Sequence, residues 1–453
     1  MQNNPYFPDD WFIGTLQGST DIVLGQSPPS DTYNTEGVGL PFYQGKAEFG
    51  NLYPTPVKWC TIPKKIALPD DILISVRAPV GPTNVCQEIS CIGRGLAAIR
   101  AKENNSSKYI FYYLRFIEKD WDIKATGTTF KAITRQVLRN QEIPIPPYEE
   151  QEQIVAKIEE LFSQLDAGVE GLKRVQAGLK RYKASVLKAA FEGRLVPQDP
   201  NDEPAEELLK GMGKEPLLEK ELKSLPIGWC WTKLESLIQI LDNQREPINS
   251  KERDKRISSK DLSQLFPYYG ATGQVGWIDK YIFDEELLLL GEDGAPFLDN
   301  YKNKAYIVRG KYWVNNHAHV IRALVDITTN KYLLYYLNNF DFNDYVTGTT
   351  RLKLNQGRMK EIPVILPPLS EQNKIIAEIE KRLSIVASLE KVLEIVFQRG
   401  IRIRQSILQN AFIGKLVNQS TDEKLCIGNE LSHENEIINE KNSLQQGSLL
   451  NGK

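Results

Sequence analysis

The chain has no Cys-x-x-Cys pair, no long apolar run, no excess of either charge and no catalytic signature. Its five cysteines, Cys60, Cys86, Cys91, Cys230 and Cys426, are scattered and odd in number. That pattern argues against a paired-cysteine zinc site and predicts reduced thiols in a cytoplasmic protein. No apolar run approaches the ~18 residues of a membrane span, so no membrane partner is expected. The first ten residues carry neither a basic stretch nor an apolar one, so no secretory leader is expected. The net charge is −2, from 56 basic and 58 acidic residues among 453. No global basicity points to a polyanion, although a local basic face is enough to bind one.

Signatures of chemistry are missing as well. Asn4-Pro5-Tyr6-Phe7 lacks the second proline of an amino-methyltransferase loop. Pro69-Asp70 is not followed by the Asp/Glu-x-Lys of a nuclease. Gly45-Lys46, Gly310-Lys311 and Gly414-Lys415 lack the glycine spacing and the Ser/Thr of a phosphate loop. The chain is therefore expected to be non-catalytic by itself.

What is present is a repeat. Pro146-Pro147-Tyr148-Glu149-Glu150-Gln151 matches Pro367-Pro368-Leu369-Ser370-Glu371-Gln372, and Phe191-x-Gly193-Arg194-Leu195 matches Phe412-x-Gly414-Lys415-Leu416, at a constant offset of 221 residues. A long element free of net insertions explains a constant offset. Ile154, Ile158, Leu161, Leu165, Leu172 and Leu179 fall on a four-three apolar spacing, with Gly168 a poor fit, and the spacing predicts one helix. Ile375, Ile379, Val386, Leu393, Ile403 and Ile407 occupy the same seam in the second copy. The proline pair precedes each start, Ser370 is expected as an N-cap, and Gly193 and Gly414 are expected at the C-terminal stops. About 40 residues at ~1.5 Å each make a rod of roughly 60 Å. The first helix begins acidic and ends basic, and the second ends with Arg399, Arg402, Arg404 and Lys415. Opposite ends attract in an antiparallel pair, although the same polarity also suits each helix dipole.

The repeat divides the chain into expected parts: a globular head at 1–145, a long helix at 146–195, a charged linker at 196–224, a second head at 225–366, the second long helix at 367–416 and a polar tail at 417–453. Both heads mix strand and helix signals, so the expected class is α+β, with two heads and an antiparallel coiled coil related by a pseudo-twofold repeat. Strands are expected at Asp71–Val76, Cys91–Ile99, Leu287–Leu290, Ala305–Val308 and His319–Arg322, and helices at Tyr109–Phe116 and Lys331–Leu337. Both heads close on Thr-Gly-Thr-Thr, at 126–129 and 347–350, and elsewhere differ from one another. A repeated frame with divergent heads implies two different ligands held at a fixed separation.

The order head–helix–head–helix, with Pro-Pro-x-x-Glu-Gln opening each helix and Phe-x-Gly-[Arg/Lys]-Leu closing it, resembles the specificity subunit of type I restriction–modification enzymes. Trp11, Leu225-Pro226-Ile227-Gly228-Trp229, Arg77-Ala78-Pro79-Val80-Gly81 and Gly291-Glu292-Asp293-Gly294 are similar to the family's recognition domains. The first head lacks the full Leu-Pro-x-Gly-Trp entry, and the tail is extra. The resemblance implies a protein that reads split double-stranded DNA, one half-site per head, with the helices fixing the spacer. It also implies two methyltransferase subunits using S-adenosylmethionine and two restriction subunits using ATP and Mg2+, with no cofactor bound by this chain. A coiled-coil adaptor with two protein-binding heads is the alternative.

Candidate DNA contacts follow from residue type. In the first head they are Gln44, Lys46, Arg77, Arg94 and Thr128. In the second they are Tyr269, Thr272, Gln274, Asn315, Asn316, His317, His319 and Thr349. Arg, Asn and Gln match base edges, while Lys, Thr and turn N–H groups match phosphates. For each cation, an exposed surface charge is the plain alternative. His317-x-His319 beside Glu292-Asp293 has ligand types for Zn2+ but no third histidine nearby, so polar packing or DNA contact is preferred and no metal is expected. An enzyme built on that cluster is a third option.

Overall fold

The computed structural model describes residues 8, 10–127, 131–217 and 224–417. Thr128, the tail beyond Val417 and Cys426 lie outside the described residues. Two 44-residue helices, Tyr148–Phe191 and Leu369–Phe412, occupy the repeated stretches. The described residues form two compact units. One contains the chain up to Gly171 together with the part from Val396 onward; the other is Leu172–Ile395. Among the described residues no helix is long and apolar enough to cross a membrane.

In the first unit an antiparallel sheet runs in the order Thr20–Leu24, Leu96–Ala101, Ile72–Ser75, Thr83–Val85. A second sheet places Leu40–Tyr43 parallel to Ser90–Ile92. The expected strand at Cys91–Ile99 is therefore two strands, broken at Gly93-Arg94-Gly95. The second unit repeats the plan. Ile238–Ile240, Ala318–Ala323, Leu287–Gly291 and Ala305–Val308 form one sheet. A second sheet places Phe266–Gly270 parallel to Lys311–Val314. Apolar residues fill both faces of the central strands; Ile72, Leu73 and Ile74, and likewise Leu287 to Leu290, are fully buried.

Each head grips the start of the long helix that follows it. Tyr109 and Tyr113, on helix Ser107–Phe116, donate to the carbonyls of Pro144 at 2.9 Å and Glu142 at 2.7 Å. Tyr332 and Tyr336, on helix Asn330–Asn339, donate to Ile365 and Pro363, both at 2.7 Å. The Glu-Gln of each opening motif does the rest. Trp11 Nε1 donates to Glu150 at 3.1 Å, and Gln151 accepts from Ser106 N and donates to Pro146 O. Trp229 Nε1 donates to Glu371 at 2.8 Å, and Gln372 donates to Ile327 O and Pro367 O. The second helix begins at Leu369, so Ser370 lies inside the first turn rather than at the N-cap.

Each unit also contains the end of the other long helix. In the first unit Phe412 sits edge-on to Tyr109 and Tyr113, with centroids 5.3 and 5.2 Å away. In the second, Phe191 does the same to Tyr332 and Tyr336 at 5.8 and 5.2 Å. Gly193 follows Phe191 at φ +68°, and a Cβ there would lie 2.3 Å from Pro226. Glycine is thus required both by the left-handed helix stop and by the close approach.

The helix segments inside each unit run antiparallel. In the first, Arg404 stacks on Phe162 and bonds to Asp166, Gly400 faces Val169 and Leu165, and Leu408 shares a core with Ile154 and Ile158. In the second, Lys183 bonds to Glu390 at 2.8 Å and Val186 packs with Ile375 and Ile379. Ile154, Ile158, Ile375, Ile379, Val386 and Leu393 are buried, while Leu161, Leu165, Leu172, Leu179 and Ile407 are half-buried. Ile403 is a correction. It is 41% exposed, and the seam there uses Arg404, Leu408 and Ala411, one residue on from the expected frame. A straight helix turns every 3.6 residues and drifts from a strict seven-residue repeat.

The stretch 196–224, expected as a linker, contains a short helix, Ala205–Gly211, with Ala205 and Leu209 fully buried. Pro204 precedes it, Glu206 and Glu207 open it and Lys210 closes it. These are start and stop signals that outweigh the low apolar content.

Candidate nucleic-acid interface

In the first head, three backbone segments converge. Phe42 and Tyr43 pair in parallel with Cys91 and Ile92, and Gly93 N donates to Tyr43 O at 2.8 Å. The two strands therefore leave the sheet together and deliver Gln44–Lys46 and Arg94 to one place. A Cβ on Gly95 would lie 2.2 Å from Gln44 O, so the approach requires glycine. The third segment follows Ser75: Val76 N donates to Gly95 O and accepts, through its carbonyl, from Ile133 N, both at 2.9 Å. Arg77 then pairs with Ala132, which also pairs with Thr126. The result is a concavity of about 250 Å3 lined by Gln44, Gly45, Lys46, Ser75, Arg77, Ala78, Arg94 and Gly95. The lining has three cations and no carboxylate. Gln44, Lys46, Arg77 and Arg94, four of the candidates, are exposed and come together there.

The second head builds the same backbone from different residues. Tyr268 and Tyr269 pair in parallel with Trp313 and Val314, and Asn315 N donates to Tyr269 O at 3.0 Å. Glu292 N donates to His317 O, and Leu354 N to Glu292 O, both at 2.8 Å. Asp293 pairs with Lys353, which also pairs with Thr347. Bond for bond, Arg94 corresponds to Asn316, Gly95 to His317, Val76 to Glu292 and Arg77 to Asp293. Asn316 is exposed, His317 is half-buried, and Thr272 and Gln274 are exposed on the hairpin beyond Gly270. Thr349 is exposed in the turn between Thr347 and Lys353. Asn315 is nearly buried, its Oδ1 accepting from His317 N at 2.8 Å. The Tyr269 ring packs on Tyr306 and Tyr312, and burial pushes its phenol up; its carbonyl makes the positioning bond.

The two histidines are divided between two networks. His319 is 1% exposed, with Nδ1 at 2.6 Å from Asp242 and Nε2 at 2.9 Å from Leu354 O. It is enclosed rather than facing solvent and ties the strand, Asp242 and the closing hairpin together. Arg245 donates to Glu292 at 2.8 Å and to Ala318 O at 2.7 Å. Burial pushes Asp242 up, but its bonds to His319 and Val320 N and the charges of His319 and Arg245 outweigh this and hold it below the usual carboxylate range. His317 lies instead beside Asp293, at 3.3 Å, with Arg351.

Asp242, Glu292 and His319 bring their ligand atoms within 4.8 Å of one another. The guanidinium of Arg245 already neutralises both acids, at 2.8 Å from Glu292 and 3.5 Å from Asp242. A divalent ion would have to displace it. The expected grouping of Glu292, Asp293, His317 and His319 is thus split in two.

A family model described as the type I restriction modification DNA specificity domain matches residues 8–173 and again 226–395. The chain belongs to this family. The two matches fall on the two repeats, so the specificity subunit carries the domain in duplicate, each copy a head with the first part of the helix that follows it. The EcoBI type I restriction enzyme specificity subunit of Escherichia coli is 23% identical over 91% of this chain and 87% of its own length. The MjaX specificity-subunit homologue of Methanocaldococcus jannaschii is 41% identical over 42% of this chain, and a Haemophilus influenzae relative is 33% identical over 35%. The chain spans 44% and 38% of the length of those two. The crystal structure of an HsdS subunit from Thermoanaerobacter tengcongensis is 48% identical over 37% of this chain and 41% of that one, with a TM-score of 0.34.

Sequence reasoning missed Asp242, Arg245, Arg351 and Gln356, which surround the second site. Gln356 donates to Asp242 at 3.1 Å. Arg351 had a signal: it directly follows the second Thr-Gly-Thr-Thr, where the first copy is followed by Phe130.

Proposed function

We propose that this specificity subunit binds double-stranded DNA and reads a bipartite target, one half-site per head. Residues 1–145 and 225–366 serve as the two recognition domains, and the long helices set the unread spacer between the half-sites. The observation that carries this reading is the duplicated backbone constellation. Two heads of divergent sequence build the same convergence of three segments and furnish it with different donors and acceptors. In the first head the furnishing is cationic and free of acid, as phosphate and guanine contacts require.

The chain supplies recognition and its partners supply chemistry. Two methyltransferase subunits would modify adenine N6 with S-adenosylmethionine, and two restriction subunits would use ATP and Mg2+. Within the second unit, Ile385, Leu389, Val392 and Ile395 form an exposed apolar stripe on the second long helix, each 46–58% exposed. A stripe of that kind is a surface that a partner subunit covers.

The test is single-molecule mapping of N6-methyladenine in cells expressing this chain with its neighbouring methyltransferase subunit. The expected result is a motif of two different halves with a fixed gap. Replacing residues 1–145 by another head should change one half only, and inserting one heptad into the first long helix should alter the gap or abolish binding. No motif, together with no salt-dependent DNA binding by the complex, would leave a protein-binding adaptor as the better reading.

A further inference from the structure

Resting on that reading, we propose that Arg351, held in place by Asp293, is the guanine-reading residue of the second head. Arg351 Nε lies 2.6 Å from Asp293 Oδ1. Its Nη2 is 3.4 Å from His317 Nδ1, and His317 Nδ1 is 3.3 Å from the second oxygen of Asp293. The arginine crosses Gly294, whose φ of +77° suits glycine and where a Cβ would be in ordinary van der Waals contact with it.

The chemistry follows from which edge is occupied. Asp293 takes the Nε edge and fixes the plane of the guanidinium. Apart from the 3.4 Å contact of Nη2 with His317, the Nη1/Nη2 edge remains on a side chain that is 60% exposed. Two parallel N–H donors match the N7 and O6 acceptors of guanine in the major groove, and a planar fork fixed in advance loses little freedom on binding. Asp293 also discriminates against the other ligand arginine commonly takes. A phosphate approaching this guanidinium would meet a carboxylate in contact with it, whereas a base edge carries no charge. In the first head Arg77 takes the position of Asp293, and among the described residues no acid lines the concavity, so the described part of that head does not repeat this device.

The experiment uses the complex with the methyltransferase subunit and the variants R351A, R351K and D293N. The methylation motif is mapped for each. Binding is then measured on duplexes in which 7-deazaguanine replaces one guanine at a time in the half-site read by residues 225–366. For R351A the expected result is relaxed choice at one guanine position, with discrimination falling roughly 5- to 150-fold, the range of one good bidentate pair. The other half-site should be unchanged. Removing N7 at that position should weaken the wild type and cost R351A nothing further. R351K should lose part of the discrimination, because a lysine ammonium can reach N7 and O6 but has no planar fork for Asp293 to fix in advance. D293N should lose part of it.

An unchanged motif in R351A, or a second half-site without guanine, overturns the proposal. So does an equal loss of affinity on every sequence, with R351K restoring it, which would mark a phosphate contact. Absence of any bipartite motif in the wild type would instead remove the functional reading on which the proposal rests.

Discussion

Arg77 and Asp293 occupy the same position in the two heads: each is the residue after the one that bonds the neighbouring strand exit, and each pairs with the closing hairpin, at Ala132 and Lys353. They carry opposite charges. The duplicated site therefore repeats its backbone but reverses the charge at this position, and because the second head pairs its acids with Arg245, Arg351 and Lys353, the two heads should respond differently to salt and to substitution.

Removing Arg77 and Arg94 together should weaken DNA binding and change only the half-site read by the first head. If both neutralise phosphates, the slope of log affinity against log salt should fall by about 2, and adding K46A should take it to about 3. Titrations at several salt concentrations measure this. An unchanged slope and motif would remove the concavity from the interface.

Glu371 is pushed up by burial, partly offset by the Trp229 N–H, and its Oε1 has no hydrogen-bond partner among the described residues. Glu371→Ala leaves the buried indole N–H without an acceptor and should cost about 1–3 kcal/mol of stability in the second unit. Glu371→Gln keeps an acceptor and should cost less. Urea unfolding followed by tryptophan fluorescence compares the two, and equal losses would argue against the hydrogen bond as the cause.

His319→Ala strips Asp242 of its buried partner and should destabilise the second unit by about 3 kcal/mol or more. Because Arg245 fills the acidic pair, chelators should not shift the melting temperature of the wild type, and elemental analysis should find no stoichiometric metal. A chelator-sensitive transition would reverse the assignment of this cluster to structure.

The Asp242 carboxyl titrates below its ordinary value of 3.8. Between the two values the unfolded chain binds the proton and the folded one does not, so stability falls as the pH drops through that interval. The contribution is fully present above about pH 5. Asp242→Asn should lower stability at neutral pH and flatten its decline below pH 4, as measured by unfolding across an acid series. An acid decline as steep as that of the wild type would assign it to other carboxylates.

The long helices were legible because their signals are local and repeated. Pro-Pro before each start, glycine after each end and apolar residues at four-three spacing are properties of neighbours along the chain. The exact seam was less legible: Ile403 and Arg404 both lie near the boundary of the face, and helical drift gave the contact with Phe162 and Asp166 to Arg404 and the buried places to Leu408 and Ala411. The recognition sites were legible in part. Gln44, Lys46, Arg77 and Arg94 could be selected by residue type, but their meeting point could not. Their correspondence with the second head was hidden because the offset is 226 residues at Tyr43 and Tyr269 but 216 at Val76 and Glu292. Loops of different length between the strands break the constant spacing that revealed the helices.

The sequence by itself determined the duplication, the long helices and the mixed class of the heads, since each is a matter of period and spacing. Only the tertiary structure decided which polar residues share a site. It separated His317 from His319, placed Arg245 between Asp242 and Glu292, and set Arg351 against Asp293. Those choices depend on which strands leave a sheet side by side and which backbone bonds hold them there, and residues far apart in the chain make them.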